Sequence, residues 1–289
     1  MPQAVWTTLI SCDELLALRQ DPAQRTVLLD CTFDLADPAA GREAYHRSHL
    51  PGAFYLHLDN ELSGEKTGRN GRHPLPDPDM LTGRLRALGV NDDTQVVAYD
   101  AQGGMFAARA WWLLRWIGHE AVAVLDGGKP AWIAAGLPLE AGTTPDPEVA
   151  GNLTRRPSLV TTVDVQALME NLAQPARLVV DARAPDRFRG ENETLDPVGG
   201  HIPGAVNRCF KDNLQENGRF KPAAQLREEF GAVLGNTPPA AAVMQCGSGV
   251  TACHNLLALE AAGLNGAALY PGSWSEWCAD PSRPVATGQ

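Results

Sequence analysis

Short apolar runs alternate with stretches of helical periodicity along the whole chain. RTVLLD (Arg25–Asp30), QVVAYD (Gln95–Asp100) and AVAVLDGG (Ala121–Gly128) are continuous apolar runs of strand length, closed by a carboxylate or by glycines. Between the last two, Met105, Ala108, Trp112, Leu113 and Trp116 recur at helical spacing and predict a helix with one apolar face. Ser11 followed by Glu14 fits a capping box that opens an N-terminal helix. Strands that are apolar throughout, separated by helices, predict a parallel sheet covered on both faces. The fold class is therefore α/β.

The order then repeats. RLVVDAR (Arg177–Arg183) answers RTVLLD, AAVMQC (Ala241–Cys246) answers QVVAYD, and AALYPGS (Ala267–Ser273) answers AVAVLDGG. The phrase HLPGA at His49–Ala53 returns as HIPGA at His201–Ala205. These four landmarks recur in one order at offsets of 145 to 152 residues, which predicts a tandem duplication. The join falls in EAGTTPDPEVAGN (Glu140–Asn152), where Pro, Gly, Thr and acidic residues cluster without periodicity. We draw one domain over residues 1–145, a linker over 146–158 and a second domain over 159–289.

Composition narrows the function class. Apolar residues make up 44% of the 289, ample for packed cores. Lys and Arg number 24 against 34 Asp and Glu, a net charge of −10 with no basic run, which argues against nucleic-acid or membrane-surface partners. No stretch approaches the ~18 apolar residues of a spanning helix; the best, Met105–Ile117, contains Arg109 and Arg115. The first residues lack a basic segment ahead of their apolar ones, so no secretory signal is expected. Six cysteines are too few for a disulfide scaffold. The expected setting is the reducing cytoplasm.

A duplication makes the differences between copies informative. Asp100 and Cys246 end corresponding strands, where open α/β sheets gather ligands. The first copy continues as AQGGMFAARA and the second as GSGVTACHNLL. Gly247 and Gly249 allow the backbone after Cys246 to curl, and a helix is predicted to begin directly beyond Val250 and Thr251. Curled N–H groups and a helix N-terminus both favour a thiolate over a thiol. The second copy thus reads as the active one and the first as scaffold.

Three chemistries compete for this loop. Gly247, Gly249 and Ala252 match a dinucleotide fingerprint, but the next strand ends in no acidic residue for a ribose. A cysteine phosphatase needs an Arg six residues after its nucleophile, and that position is Ala252. Sulfur transfer needs a cradled sulfur that can hold a persulfide, and the loop offers it. His46, His49 and His57 lack ligand spacing, so no metal or cofactor is expected. His49 and His201 open equivalent phrases and read as turn residues. Cys31, Cys253, Trp132, Trp274 and Trp277 read as packing residues, while Cys12, Cys209 and Cys278 are open to oxidation if exposed.

CGSGVTA, the paired H-[LI]-PGA phrases, DARAPDRFRG and the LDGG and YPGS strand ends together resemble the two-domain rhodanese superfamily, over nearly the whole chain. The resemblance implies two tandem rhodanese-like domains, each a parallel sheet flanked by helices. It also implies a double displacement in which Cys246 takes a sulfur atom as a persulfide and passes it to a thiol such as thioredoxin, to a small thiol, or to cyanide. Within the superfamily the loop is similar to that of mercaptopyruvate-using members, since thiosulfate-using ones carry basic residues where Gly247 and Ser248 stand. The resemblance further assigns a proton relay to Ser248, His73 and Asp59, which puts the site between the domains. It gives the loop residues Gly247, Gly249, Val250 and Thr251 a part in binding the substrate. Arg187 matches the substrate arginine, with Arg183 and Arg189 as alternatives. A second substrate arginine is missing: ENETLDPVGG has Asp196 there, and Arg208 is a candidate to compensate. The remaining alternatives are a thiosulfate sulfurtransferase using the same cysteine and a persulfide-carrier module without small-donor turnover.

Overall fold

The computed structural model describes residues 5–289. They divide into two compact units. The first comprises residues up to Ser63, Pro76–Leu159 and Glu216–Phe220; the second comprises Gly64–Leu75, Val160–Gln215 and Lys221–Gln289.

In the first unit the elements run β1 (Leu9–Ile10), α1 (Cys12–Gln20), β2 (Thr26–Asp30), α2 (Ala40–Arg47), β3 (Phe54–Tyr55), α3 (Pro78–Ala87), β4 (Gln95–Tyr99), α4 (Ala107–Trp116), β5 (Val122–Leu125) and α5 (Gly128–Ala134). In the second they run β6 (Thr161–Thr162), α6 (Val165–Ala173), β7 (Leu178–Asp181), α7 (Pro185–Arg189), β8 (Val206–Asn207), α8 (Ala223–Leu234), β9 (Ala242–Gln245), α9 (Thr251–Ala261), β10 (Ala268–Leu269) and α10 (Ser273–Trp277). The two sheets have the same order, β1-β5-β4-β2-β3 and β6-β10-β9-β7-β8, and every pairing is parallel. The duplication read from four landmarks thus extends to every strand and α-helix of the described residues; two short 3-10 helices, Phe210–Asn213 and Pro239–Ala241, belong to the second unit alone.

The local reasons are those of the sequence. All five residues of β4 and all four of β9 are buried, as strands in the middle of a covered parallel sheet must be. The capping box forms: Ser11 Oγ accepts the Glu14 N–H at 3.2 Å, and the Glu14 carboxylate accepts the Ser11 N–H at 2.8 Å. Leu15, Val97, Tyr99 and Trp132 share the first core; Val243, Tyr270, Trp274 and Trp277 share the second. The paired phrases hold corresponding turns. His49 stacks on Tyr45 and His201 on Phe188, and each backbone bridges to a distant segment, at Glu140 and Ala286. Both histidines accordingly serve turn geometry. All six cysteines are free and buried.

Candidate active site

Strand β9 delivers Cys246 to the carboxyl end of the second sheet. The Cys246 N–H donates to Ser273 Oγ at 3.1 Å, and the carbonyls of Cys246 and Gly247 accept the N–H groups of Trp274 and Ser275 at 3.0 and 2.9 Å. The start of the loop is therefore fastened to the first turn of α10. The loop then turns at Gly249, whose φ of +76° belongs to the left-handed region; a Cβ there would lie 2.3 Å from the Pro271 carbonyl oxygen. Only glycine fits. Val250 closes the loop, and Thr251 begins α9, where the Cys253 N–H donates back to the Val250 carbonyl at 3.1 Å.

The first unit displays what such a loop can hold. At the matching strand end, the Asp100 carboxylate is fully buried and accepts four backbone N–H groups. They come from Gln102 at 2.8 Å, Gly104 at 2.9 Å, Phe106 at 2.8 Å and Ala107 at 2.9 Å. The chain's own anion fills the cradle. The second unit has the side chain of Cys246 in its place.

Two residues of the Gly64–Leu75 segment reach this loop within the second unit. His73 Nδ1 lies 2.7 Å from Ser248 Oγ, and both side chains are buried. The segment is pinned by Arg72 N–H to Ser275 Oγ at 3.0 Å and Gly64 N–H to the Pro74 carbonyl at 3.0 Å. The structure thus brings together two of the three residues assigned to the relay. Asp59 belongs to the first unit, in a turn where its N–H donates to His57 Nδ1 at 3.1 Å.

The arginines separate sharply. A Cβ on Gly247 would meet Arg72 Nη2 at 2.9 Å and Arg187 Nη2 and Nη1 at 3.5 and 3.7 Å, so two guanidinium groups overhang the residue after the thiol. Arg187 is held by Glu193 at 2.8, 2.9 and 3.1 Å and reaches Asp196 at 3.5 Å. Arg72 pairs with the other oxygen of Asp196. Arg183 is a buried strut: it bonds Asp181 at 2.7 Å and the Gly200 carbonyl at 2.7 Å and lies over the Trp274 ring. Burial opposes its charge, but the Asp181 carboxylate outweighs this and raises its pKa. Arg189 is paired at the surface with Glu191. Arg208 does not compensate for a missing arginine: it is engaged by Glu229 at 2.5 Å, Asn213 and the Asp212 carbonyl, over the Phe230 ring. Sequence reasoning missed Arg72. Its one signal was adjacency to His73.

Comparison with known proteins shows the family. The rhodanese-like domain family matches the chain twice, at residues 11–135 and 164–280. A Pseudomonas aeruginosa protein named "Probable 3-mercaptopyruvate sulfurtransferase" is 48% identical over 282 residues, covering 97% of this chain and 98% of that one. The thiosulfate sulfurtransferase of Gallus gallus is 34% identical, covering 86% and 85%. Among solved structures, SseA from Escherichia coli, a 3-mercaptopyruvate sulfotransferase, superposes with a TM-score of 0.78 at 30% identity, covering 93% of this chain and 99% of that one. The chain belongs to the rhodanese family, as two rhodanese-like domains in tandem, and it is a sulfurtransferase.

Proposed function

We propose that the chain moves a sulfane sulfur from 3-mercaptopyruvate to a thiol acceptor through a persulfide on Cys246. The observation that carries this reading is the buried Ser248–His73 hydrogen bond two residues beyond a cysteine whose loop bears no charge of its own. The Cys246 thiolate attacks the donor sulfur, an S–S bond forms, and the carbon–sulfur bond breaks. Its electron pair leaves on pyruvate enolate. That enolate needs a proton, which Ser248 supplies and His73 replenishes. Asp59 is assigned to the same relay by family resemblance. Arg187 takes the donor's carboxylate. Gly247, Gly249, Val250 and Thr251 turn backbone N–H groups toward the transferred sulfur, as the first unit does toward Asp100. A thiol such as thioredoxin, a small thiol or cyanide then removes the outer sulfur and restores the thiolate.

The compartment that suits six free cysteines is a reducing one, the cytoplasm. Among the described residues no helix is long and apolar enough to cross a membrane.

Thiosulfate is the second reading of the donor, favoured by the name of the Gallus gallus relative. The same cysteine would serve, with sulfite as the leaving group. Relative kcat/KM on the two donors decides between them. Intact mass after mixing with each donor tests the whole reading: wild type gains one sulfur, and Cys246→Ser gains none and turns over neither donor. Substantial turnover by that variant would refute the assignment of Cys246.

A further inference from the structure

Three positive and three negative groups make up the polar cluster beside the catalytic loop. The cations are Arg72, Arg183 and Arg187; the anions are Asp181, Glu193 and Asp196. The cluster is charge-neutral. Its members are not equally open to a ligand. The side chains of Glu193 and Asp196 are only 4% and 3% exposed, whereas those of Arg187 and Arg72 are 19% and 29% exposed. The guanidinium groups therefore offer a face to an arriving donor, with their countercharge held on the interior side.

The two acids hold different posts. Glu193 is tied into its own turn, since its carboxylate also accepts the N–H groups of Leu195 and Asp196 at 2.9 and 3.1 Å. The Asp196 carboxylate bonds guanidinium groups, one oxygen on Arg72 and the other 3.5 Å from Arg187. Through its side chain Asp196 thus joins the two arginines that overhang Gly247, while only its backbone N–H serves the turn held by Glu193.

We propose that Asp196 determines donor specificity: by offsetting one of the two charges of the Arg72–Arg187 pair, it completes a neutral cluster and makes the site select monoanionic sulfur donors over compact dianions. The proposal rests on the sulfurtransferase reading above. A monoanion with its charge remote from its sulfur needs one fork of donors, which a compensated arginine still supplies through its hydrogen bonds. A dianion such as thiosulfate needs net positive charge to offset its desolvation, and the neutral cluster withholds it.

The test is kcat/KM for thiosulfate and for 3-mercaptopyruvate, in wild type and Asp196→Asn, at low and high salt. Removing one negative charge while keeping the shape should raise the thiosulfate-to-mercaptopyruvate ratio about tenfold, ~1.4 kcal/mol of differential stabilisation. The shift should shrink at high salt, because partly exposed charges are screened over ~8 Å at physiological ionic strength. Sulfate should become a correspondingly stronger inhibitor of mercaptopyruvate turnover. A ratio within twofold of wild type, or an equal fall with both donors, would overturn the proposal, the latter marking a structural role. A measurement on wild type alone stands independent of how the variant folds. Sulfate should inhibit it no more strongly than pyruvate, and stronger inhibition by sulfate would overturn the proposal. Absence of turnover with both donors in wild type would instead refute the reading on which it rests.

Discussion

At the scale of single residues, the pair Asp100 and Cys246 explains how one duplicated plan yields one working copy. Both stand at the end of the fourth strand of their sheet. Asp100 spends both carboxylate oxygens on four N–H groups and locks its loop shut. Its replacement by Ala would orphan those buried groups, each worth about 1–3 kcal/mol. Asp100→Ala should therefore lose on the order of 3 kcal/mol or more in urea unfolding of the first unit, and a loss below about 1 kcal/mol would show that the cradle is not a structural device. Cys246, in contrast, is fastened through its backbone, to Ser273 and Trp274. Its side chain is left for chemistry.

At the scale of the element, the loop of residues 246–250 works because α10 fixes its start, Gly249 turns it and α9 receives it. The proposed proton relay attaches to this loop at Ser248, which bonds His73. General acid–base catalysis contributes about 100- to 10,000-fold, and only the mercaptopyruvate reaction has a leaving group that needs a proton. Ser248→Ala and His73→Asn should each cut mercaptopyruvate kcat about 100-fold while thiosulfate turnover stays within a few-fold. Equal losses on both donors would mean that the pair merely holds the loop. Ser248, His73 and the Gly249 turn could each be pointed to in the sequence by motif. Their junction came from family resemblance and from no local pattern, because 175 residues separate His73 from Ser248.

At the scale of the whole molecule, the acid balance bears on stability. Burial raises the pKa of Glu193, but Arg187 and the N–H groups of Leu195 and Asp196 outweigh it and hold the carboxyl below the ordinary range. Lys221 and Arg208 likewise hold Glu229 down to about 2 against its desolvation. A carboxyl depressed in the folded state binds its proton first in the unfolded chain. Its stabilisation is complete above the unfolded value, about 4.3 for Glu, and fades as pH falls toward the folded one. Stability of the second unit should thus hold above about pH 5 and decline below about pH 4. The deficit of Glu193→Gln relative to wild type, followed by urea melts across pH, should be largest near neutrality and shrink in acid. A deficit that stays constant with pH would contradict this account.

The sequence by itself determined the α/β class, the duplication and the capping box at Ser11, and it singled out Cys246 as the candidate nucleophile. All of these depend on contacts between residues close in the chain: strand periodicity, cap spacing, and a Gly-bounded turn between a strand and a helix. It also carried the absence of a second substrate arginine, legible as Asp196 where the family resemblance calls for Arg. What only the tertiary structure decided is which arginines face the loop. Arg183, Arg187 and Arg189 lie within one short segment and are equivalent to the eye, yet one is a buried strut, one overhangs Gly247 and one is paired at the surface. Arg72 entered only through the fold, because 124 residues separate it from Asp196. Charge pairing acts through space, and a one-dimensional pattern records it only when the partners share a helix face or a turn.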